Sequence, residues 1–169
     1  LLVDCGPDMR EQLLTADIDL VDGVIVTHEH ADHCHGIDDL RQLYHSRRAP
    51  VAGYARKETL DILLGRFGYA FEGNGGYPPI VKGNLLPDRL AIGDVEVGIV
   101  DQPHGDISAA GIRFAAGGCS IGYSTDFNAL TDEMITLFKG VNLWVVDALR
   151  RRPHPSHGHL DQVLEWIAA

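Results

Sequence analysis

Thr27-His28-Glu29-His30-Ala31-Asp32-His33-Cys34-His35-Gly36 follows directly on the apolar run Gly23-Val24-Ile25-Val26. Four metal-binding side chains, His28, His30, Asp32 and His33, therefore fall within one loop at the end of a strand-like segment. Neutral imidazole and carboxylate are donors that Zn²⁺, Mn²⁺ or Fe accept, and a strand end that turns can converge side chains that a regular helix would splay apart. His28 and His30 stand two apart in extended chain, so both point to the same side and can hold one ion. Asp32 and His33 lie where the chain enters the stretch 33–44, whose Ile37, Leu40, Leu43 and Tyr44 recur at helical spacing. An acidic residue early in such a helix suits its positive N-terminal end. Two donor sets on either side of one turn favour two metal ions.

The run His28-x-His30-x-Asp32-His33 resembles the hallmark of the metallo-β-lactamase superfamily. Leu1-Leu2-Val3-Asp4-Cys5-Gly6 is similar to the strand and aspartate that precede the histidine loop there. Gln102-Pro103-His104-Gly105 resembles the third histidine motif, and Tyr123-Ser124-Thr125-Asp126 the bridging aspartate, all in family order. Within the superfamily, Gly36-Ile37-Asp38-Asp39-Leu40-Arg41 and Tyr123-Ser124-Thr125-Asp126-Phe127 are most similar to a phosphodiesterase branch. That branch includes phosphoribosyl cyclic phosphate phosphodiesterase and, more distantly, tRNase Z. Val145-Val146-Asp147-Ala148 resembles the acidic strand end of those enzymes. Ser156-His157-Gly158-His159-Leu160-Asp161-Gln162 resembles the segment bearing the histidine that helps the leaving group depart.

The resemblance implies an α/β fold of the αββα sandwich type and a dinuclear site. His28, His30 and His104 would hold one ion, Asp32 and His33 the second, and Asp126 would bridge both, with a bridging hydroxide as nucleophile. Zn and Mn are not distinguished by this donor set. Asp4 is expected behind the ligands, orienting the loop by hydrogen bonds. Asp32, His157 and Asp147 are the catalytic candidates, with Asp147 fixing the tautomer of His157. His159 is the rival of His157 and a candidate phosphate contact. His154, between Pro153 and Pro155, is set aside as part of a stiff extended loop, and His45 as a helix-end residue. Family members carry one more histidine ligand, expected here beyond Ala169, and β-hairpins ahead of Leu1. Residues 1–169 are accordingly expected to form a single hydrolase domain that is incomplete at both ends.

Composition fits a folded, water-compatible domain, with 45% hydrophobic and 22% charged residues. No stretch approaches the roughly 20 apolar residues that span a bilayer. Cys5, Cys34 and Cys119 are widely spaced and odd in number, which points to reduced thiols in the cytoplasm. Cys34, inside the ligand loop, reads as a small buried hydrophobe. The formal charge of −10 disfavours binding to extended nucleic acid. Locally, bound divalent ions would make the site attractive to phosphate. Arg150, Arg151 and Arg152 either add a phosphate clamp or form a solvated loop. Leu1 to Val3, Val24 to Val26 and Leu143 to Val146 read as strands buried on both faces, and Val95, Val97 and Ile99 as a half-wet strand. Helices are expected at 10–16, 57–67, 130–138 and 160–167, and a loop over Gly68 to Pro79.

Three functions are compatible with these features. The first is cleavage of a small phosphodiester, a cyclic phosphate or a nucleotide-like compound, with neither a membrane nor an extended nucleic acid as partner and dimerisation left open. The second is acyl hydrolysis by a lactonase or thioesterase of the same superfamily. The third is a ligand-binding module without catalysis. Asp126, where typical metallo-β-lactamases have cysteine, argues against antibiotic hydrolysis.

Overall fold

A computed structural model describes residues 1–168, which fall into two compact units that meet in sequence at Leu86 and Pro87. The first unit runs β1 (Leu2–Val3), α1 (Met9–Thr15), β2 (Gly23–Ile25) and α2 (Ala31–Cys34). A 3₁₀ turn (Ile37–Asp39), α3 (Leu40–Arg47), β3 (Val51–Ala55), α4 (Lys57–Glu72) and β4 (Val81–Leu85) follow. Its four strands form a parallel sheet in the order β1-β2-β3-β4, as the intervening helical crossovers require. Val24, Ile25 and Val26 are buried, and Val24 and Val26 pack with Cys5, Ile37, Leu40, Leu63 and Val81 in one apolar cluster.

The helical periodicity over 33–44 is real, but the helix is broken. α2 ends at Cys34, and the chain bends through His35 and Gly36 before the 3₁₀ turn and α3. At Gly36 a Cβ would lie 2.2 Å from the Gly6 carbonyl oxygen, and the Gly36 N–H donates to the Cys5 carbonyl at 2.7 Å. Only glycine permits that approach, which ties the ligand loop to the segment after β1. Ile37, Leu40 and Leu43 still face the core, as their spacing demands.

α4 runs one turn further than expected. It departs from helical geometry at Phe67 (φ −123°, ψ 29°) and resumes to Glu72, so Gly68–Glu72 is helical where a loop was expected. Ala70 is fully buried and Phe71 packs on the core, and this burial outweighs the poor helix propensity of glycine. The irregular stretch begins at Gly73, whose φ of 77° ends the helix. Tyr69 is anchored by its hydroxyl, which donates to Asp38 at 2.6 Å, while Tyr77 is 73% exposed.

The second unit runs β5 (Arg89–Ile92), β6 (Val95–His104), β7 (Ile107–Ala116), β8 (Cys119–Ser124), α5 (Asp132–Phe138), β9 (Leu143–Val146) and α6 (Leu160–Ala168). These strands form a sheet in the order β5-β6-β7-β8-β9, antiparallel except for the parallel pair β8 and β9. The β7–β8 hairpin turns at Gly117 and Gly118, both at positive φ, the geometry that matches strand twist in a two-residue turn. Thr131 caps α5 by accepting from the Met134 N–H. Val100, Phe127, Met134 and Phe138 form the core here, with Trp144 and Trp166 packed against them.

β9 departs from the expected burial on both faces. Trp144 and Val146 pack on the core, whereas Leu143 is 55% and Val145 44% exposed. The strand lies at the edge of its sheet and presents one face outward.

Candidate metal centre

In the first unit, three backbone features converge the donors. β2 ends at Ile25 and delivers Thr27 and His28 into the interior; α2 starts at Ala31 and carries Asp32 and His33 in its single turn. Asp4, directly after β1, takes a left-handed conformation (φ 61°), and its N–H donates to the Ile25 carbonyl at 2.7 Å. That unusual backbone aims the Asp4 carboxylate at the ligand loop. It accepts from the Thr27 N–H (2.7 Å), the Thr27 hydroxyl (3.0 Å) and His33 Nδ1 (2.7 Å).

These bonds decide which ring nitrogen His28 and His33 offer. His33 donates Nδ1–H to a carboxylate, so Nε2 is its ligand atom. A hydroxyl has one hydrogen, and that of Thr27 goes to Asp4; the oxygen therefore accepts from His28 Nδ1, 3.1 Å away, and Nε2 is again the outgoing atom. The His28 ring centroid lies 4.6 Å from that of His30 and 4.1 Å from that of His33. His33 Nε2 is 3.5 Å from an Asp32 carboxylate oxygen. His28 and His33 are buried, while His30 and Asp32 are exposed.

The second unit repeats this logic. His104, the last residue of β6, is buried and donates Nδ1–H to the Ser156 carbonyl at 2.8 Å, which leaves Nε2 as the ligand atom, 3.6 Å from an Asp126 oxygen. Asp126 follows β8 at a φ of 48°, and the Thr125 hydroxyl donates to its carboxylate at 2.8 Å. Asp147 follows β9, its N–H donating to the Ser124 carbonyl, and its carboxylate lies 3.0 Å from His157 Nδ1. Donor atoms of Asp126, Asp147 and His157 all lie within 4.8 Å of one another. The fold thus brings together three candidates drawn from positions 126, 147 and 157.

The loop after β9 is held at many points. Asn128 Nδ2 donates to the Pro155 carbonyl (2.6 Å), and the Gly158 N–H to the Phe127 carbonyl (2.6 Å). Arg150 donates to the carbonyls of Arg152 (3.1 Å) and Pro153 (2.6 Å). Its guanidinium therefore holds the loop through two of its donors. Arg151 and Arg152 are exposed. His159 pairs through Nδ1 with Gln162 Oε1 (3.1 Å) in the first turn of α6.

His154, set aside in the sequence, packs its ring 5.0 Å from that of His157. Nothing in the residue pattern separates it from a spacer; the flanking prolines were the only sign that its position is rigid. Thr27 and Ser156 carry no sequence signal of their role, because their contribution is a hydrogen bond to a histidine, visible only in three dimensions. Burial pushes the thiols of Cys5 and Cys34 above the ordinary range, in keeping with small apolar packing groups.

The family model for the beta-lactamase superfamily domain matches residues 1–169, and the chain belongs to that superfamily. An octanoyltransferase of Porphyromonas gingivalis (strain ATCC BAA-308 / W83) is 34% identical over 171 residues, which is 99% of this chain and 34% of that protein. A crystal structure of a diphosphatase from the PhnP family superimposes with a TM-score of 0.84 at 32% identity, covering 96% of this chain and 61% of that one. Human tRNase Z, short form, has the same fold, with a TM-score of 0.70 at 14% identity over 98% of this chain and 76% of that one. The chain thus spans about a third of the octanoyltransferase and less than two thirds of the diphosphatase. The α/β class and the likeness to the phosphodiesterase branch, both anticipated from the motifs, are met. Among the described residues no helix is long and apolar enough to cross a membrane.

Proposed function

We propose that this chain forms the core of a dinuclear metal phosphodiesterase acting on a small substrate, a cyclic phosphate or a nucleotide-like diester. The observation that carries this reading is the His157–Asp147 pair within reach of Asp126. Ester hydrolysis has little need of a leaving-group acid there, whereas expulsion of an alkoxide from phosphorus does. The likeness to a PhnP-family diphosphatase supports it.

The donors fit divalent metal ions. His28, His33 and His104 each spend Nδ1 on an oxygen, the arrangement by which oriented imidazoles present Nε2 to a metal. His28, His30 and His104 would hold one ion, Asp32 and His33 the second, and Asp126 both, as Zn or Mn. Such a pair, when bound, supplies a nucleophile at neutral pH and offsets charge on the phosphoryl oxygens. The protein's own part is orientation and proton transfer. Asp4 and Thr27 lock two ligand rings, and Ser156 locks a third. Asp147 accepts Nδ1–H of His157, so the protonated ring carries its other hydrogen on Nε2, where it is given to the departing oxygen. The two units act as one hydrolase domain in the cytoplasm, on a small molecule in preference to a polymer.

A second reading, acyl hydrolysis, is favoured by the octanoyltransferase relative, although the matched stretch is 34% of that protein. Hydrolysis of a chromogenic phosphodiester, measured beside a chromogenic ester on protein loaded with Mn²⁺ or Zn²⁺, separates the two. Diester cleavage should exceed ester cleavage and vanish on chelation. His30→Ala should lose metal and activity together. His157→Ala should keep its metal and cleave the diester about 10²- to 10⁴-fold more slowly. Preferential ester cleavage would transfer the protein to the acyl-hydrolase class.

A further inference from the structure

Ser156 fixes two imidazoles in opposite tautomers. Its carbonyl accepts from His104 Nδ1 at 2.8 Å, which leaves His104 with a bare Nε2, the form that binds a metal. Its backbone N–H lies 3.3 Å from His154 Nδ1. A backbone N–H can only donate, so His154 Nδ1 is the bare nitrogen and the ring hydrogen sits on Nε2. The Ser156 hydroxyl, also 3.3 Å from that nitrogen, can add a second donor to it. His154 is therefore set as a hydrogen-bond donor and His104 as a ligand, by one residue between them in the hydrogen-bond chain.

Both rings flank His157. The His104 and His157 centroids are 4.8 Å apart, and those of His154 and His157 5.0 Å apart, each pair at a steep angle. His157 is aligned from its other nitrogen by Asp147. The segment bearing His154 is rigid. Pro153 and Pro155 restrict its backbone, Arg150 holds the carbonyl of Pro153, and Asn128 holds that of Pro155. A neutral donor held beside a leaving-group histidine, its hydrogen bonds to Ser156 made through Nδ1 and not Nε2, suits an anionic oxygen.

We propose that His154 is a substrate-binding residue that donates Nε2–H to an anionic phosphoryl oxygen seated beside His157. This inference rests on the phosphodiesterase reading for its substrate class. It also explains why the loop is pinned so heavily: the donor must stay within hydrogen-bond reach while His157 transfers its proton.

Asparagine and glutamine divide the two functions of the ring. His154→Asn places an amide near Nδ1, so it can keep the bond from the Ser156 N–H but has nothing at the Nε2 position. His154→Gln reaches the Nε2 position with an N–H and gives up the bond to Ser156. The experiment is calorimetric binding of inorganic phosphate to the metal-loaded wild type and both variants, with metal content and thermal midpoint measured on the same samples. Wild type should bind phosphate about 10- to 100-fold more tightly than His154→Asn, the loss of one hydrogen bond to a charged group. His154→Gln should recover most of the difference, with metal content equal in all three. Equal phosphate affinity of wild type and His154→Asn would overturn the proposal. So would loss of metal in His154→Asn, which would make the residue part of the metal scaffold. Failure of the underlying reading is separate: His154-dependent phosphate binding in a protein that hydrolyses the ester and not the diester would refute the phosphodiesterase and retain the donor.

Discussion

Asp4 orients the candidate site although it is not expected to touch a metal. Its carboxylate takes three donors from Thr27 and His33, and through Thr27 it also sets the tautomer of His28. Its φ of 61° is one that asparagine tolerates and alanine does not. Asp4→Asn should therefore keep the backbone and disturb only the hydrogen bonds, since an amide cannot accept from both Thr27 and His33 through both of its atoms. Metal affinity should fall by about 10- to 100-fold, read by competition with a chromophoric chelator. Unchanged affinity would mean that the loop is oriented by packing alone. The residue was legible in the sequence as an orienting aspartate; its partners were not, because they stand 23 and 29 positions away.

At the level of elements, the break between α2 and α3 is what turns a helical pattern into a ligand loop. A continuous helix over 33–44 would carry His33 away from β2; the bend at Gly36 keeps it beside Asp4. Gly36→Ala would set a Cβ against the Gly6 carbonyl at 2.2 Å, which backbone must yield to accommodate. The expected cost is about 1–3 kcal/mol or more, measured by urea denaturation, together with weaker metal binding from a displaced His33. A variant as stable as wild type would show that the two segments can separate freely. Periodicity located Ile37, Leu40 and Leu43 on the buried face but could not see the break, since the approach of Gly36 to Gly6 joins residues 30 positions apart. The extra turn of α4 escaped for a related reason: Gly68 weakens a helix locally, and only the burial of Ala70 and Phe71 restores it.

For the molecule as a whole, the charge of −10 and the donors of the site act in opposite directions. Such a net charge would repel polyanions, while divalent ions held by histidine and aspartate would attract a single phosphate group. A single-stranded oligonucleotide should therefore fail to inhibit cleavage of a small diester at about 0.15 M salt, where screening leaves only short-range contacts. Inhibition by low micromolar oligonucleotide would point to a polymeric substrate. Arg150 keeps its positive charge while its guanidinium donates to the carbonyls of Arg152 and Pro153.

Taken alone, the sequence determined the superfamily and the α/β class and named candidate metal donors, because His28-x-His30-x-Asp32-His33 is local and its chemistry is written in adjacent side chains. It also marked His104, Asp126 and Asp147 through motifs that lie at strand ends, and His157 through a motif in the loop before α6. Tertiary structure alone decided that His28, His33 and His104 each meet an oxygen partner at Nδ1, that Arg150 serves the loop, and that His154 stands beside His157. The His33 ring is set by Asp4, 29 positions away, and the His104 ring by the backbone carbonyl of Ser156, 52 positions away, while Arg150 and His154 bond backbone groups two or three residues off in a loop whose path no side-chain pattern shows. A backbone group has the same chemistry in every residue but proline, so no pattern of side chains can announce it; only the folded path of the chain can bring it to the ring.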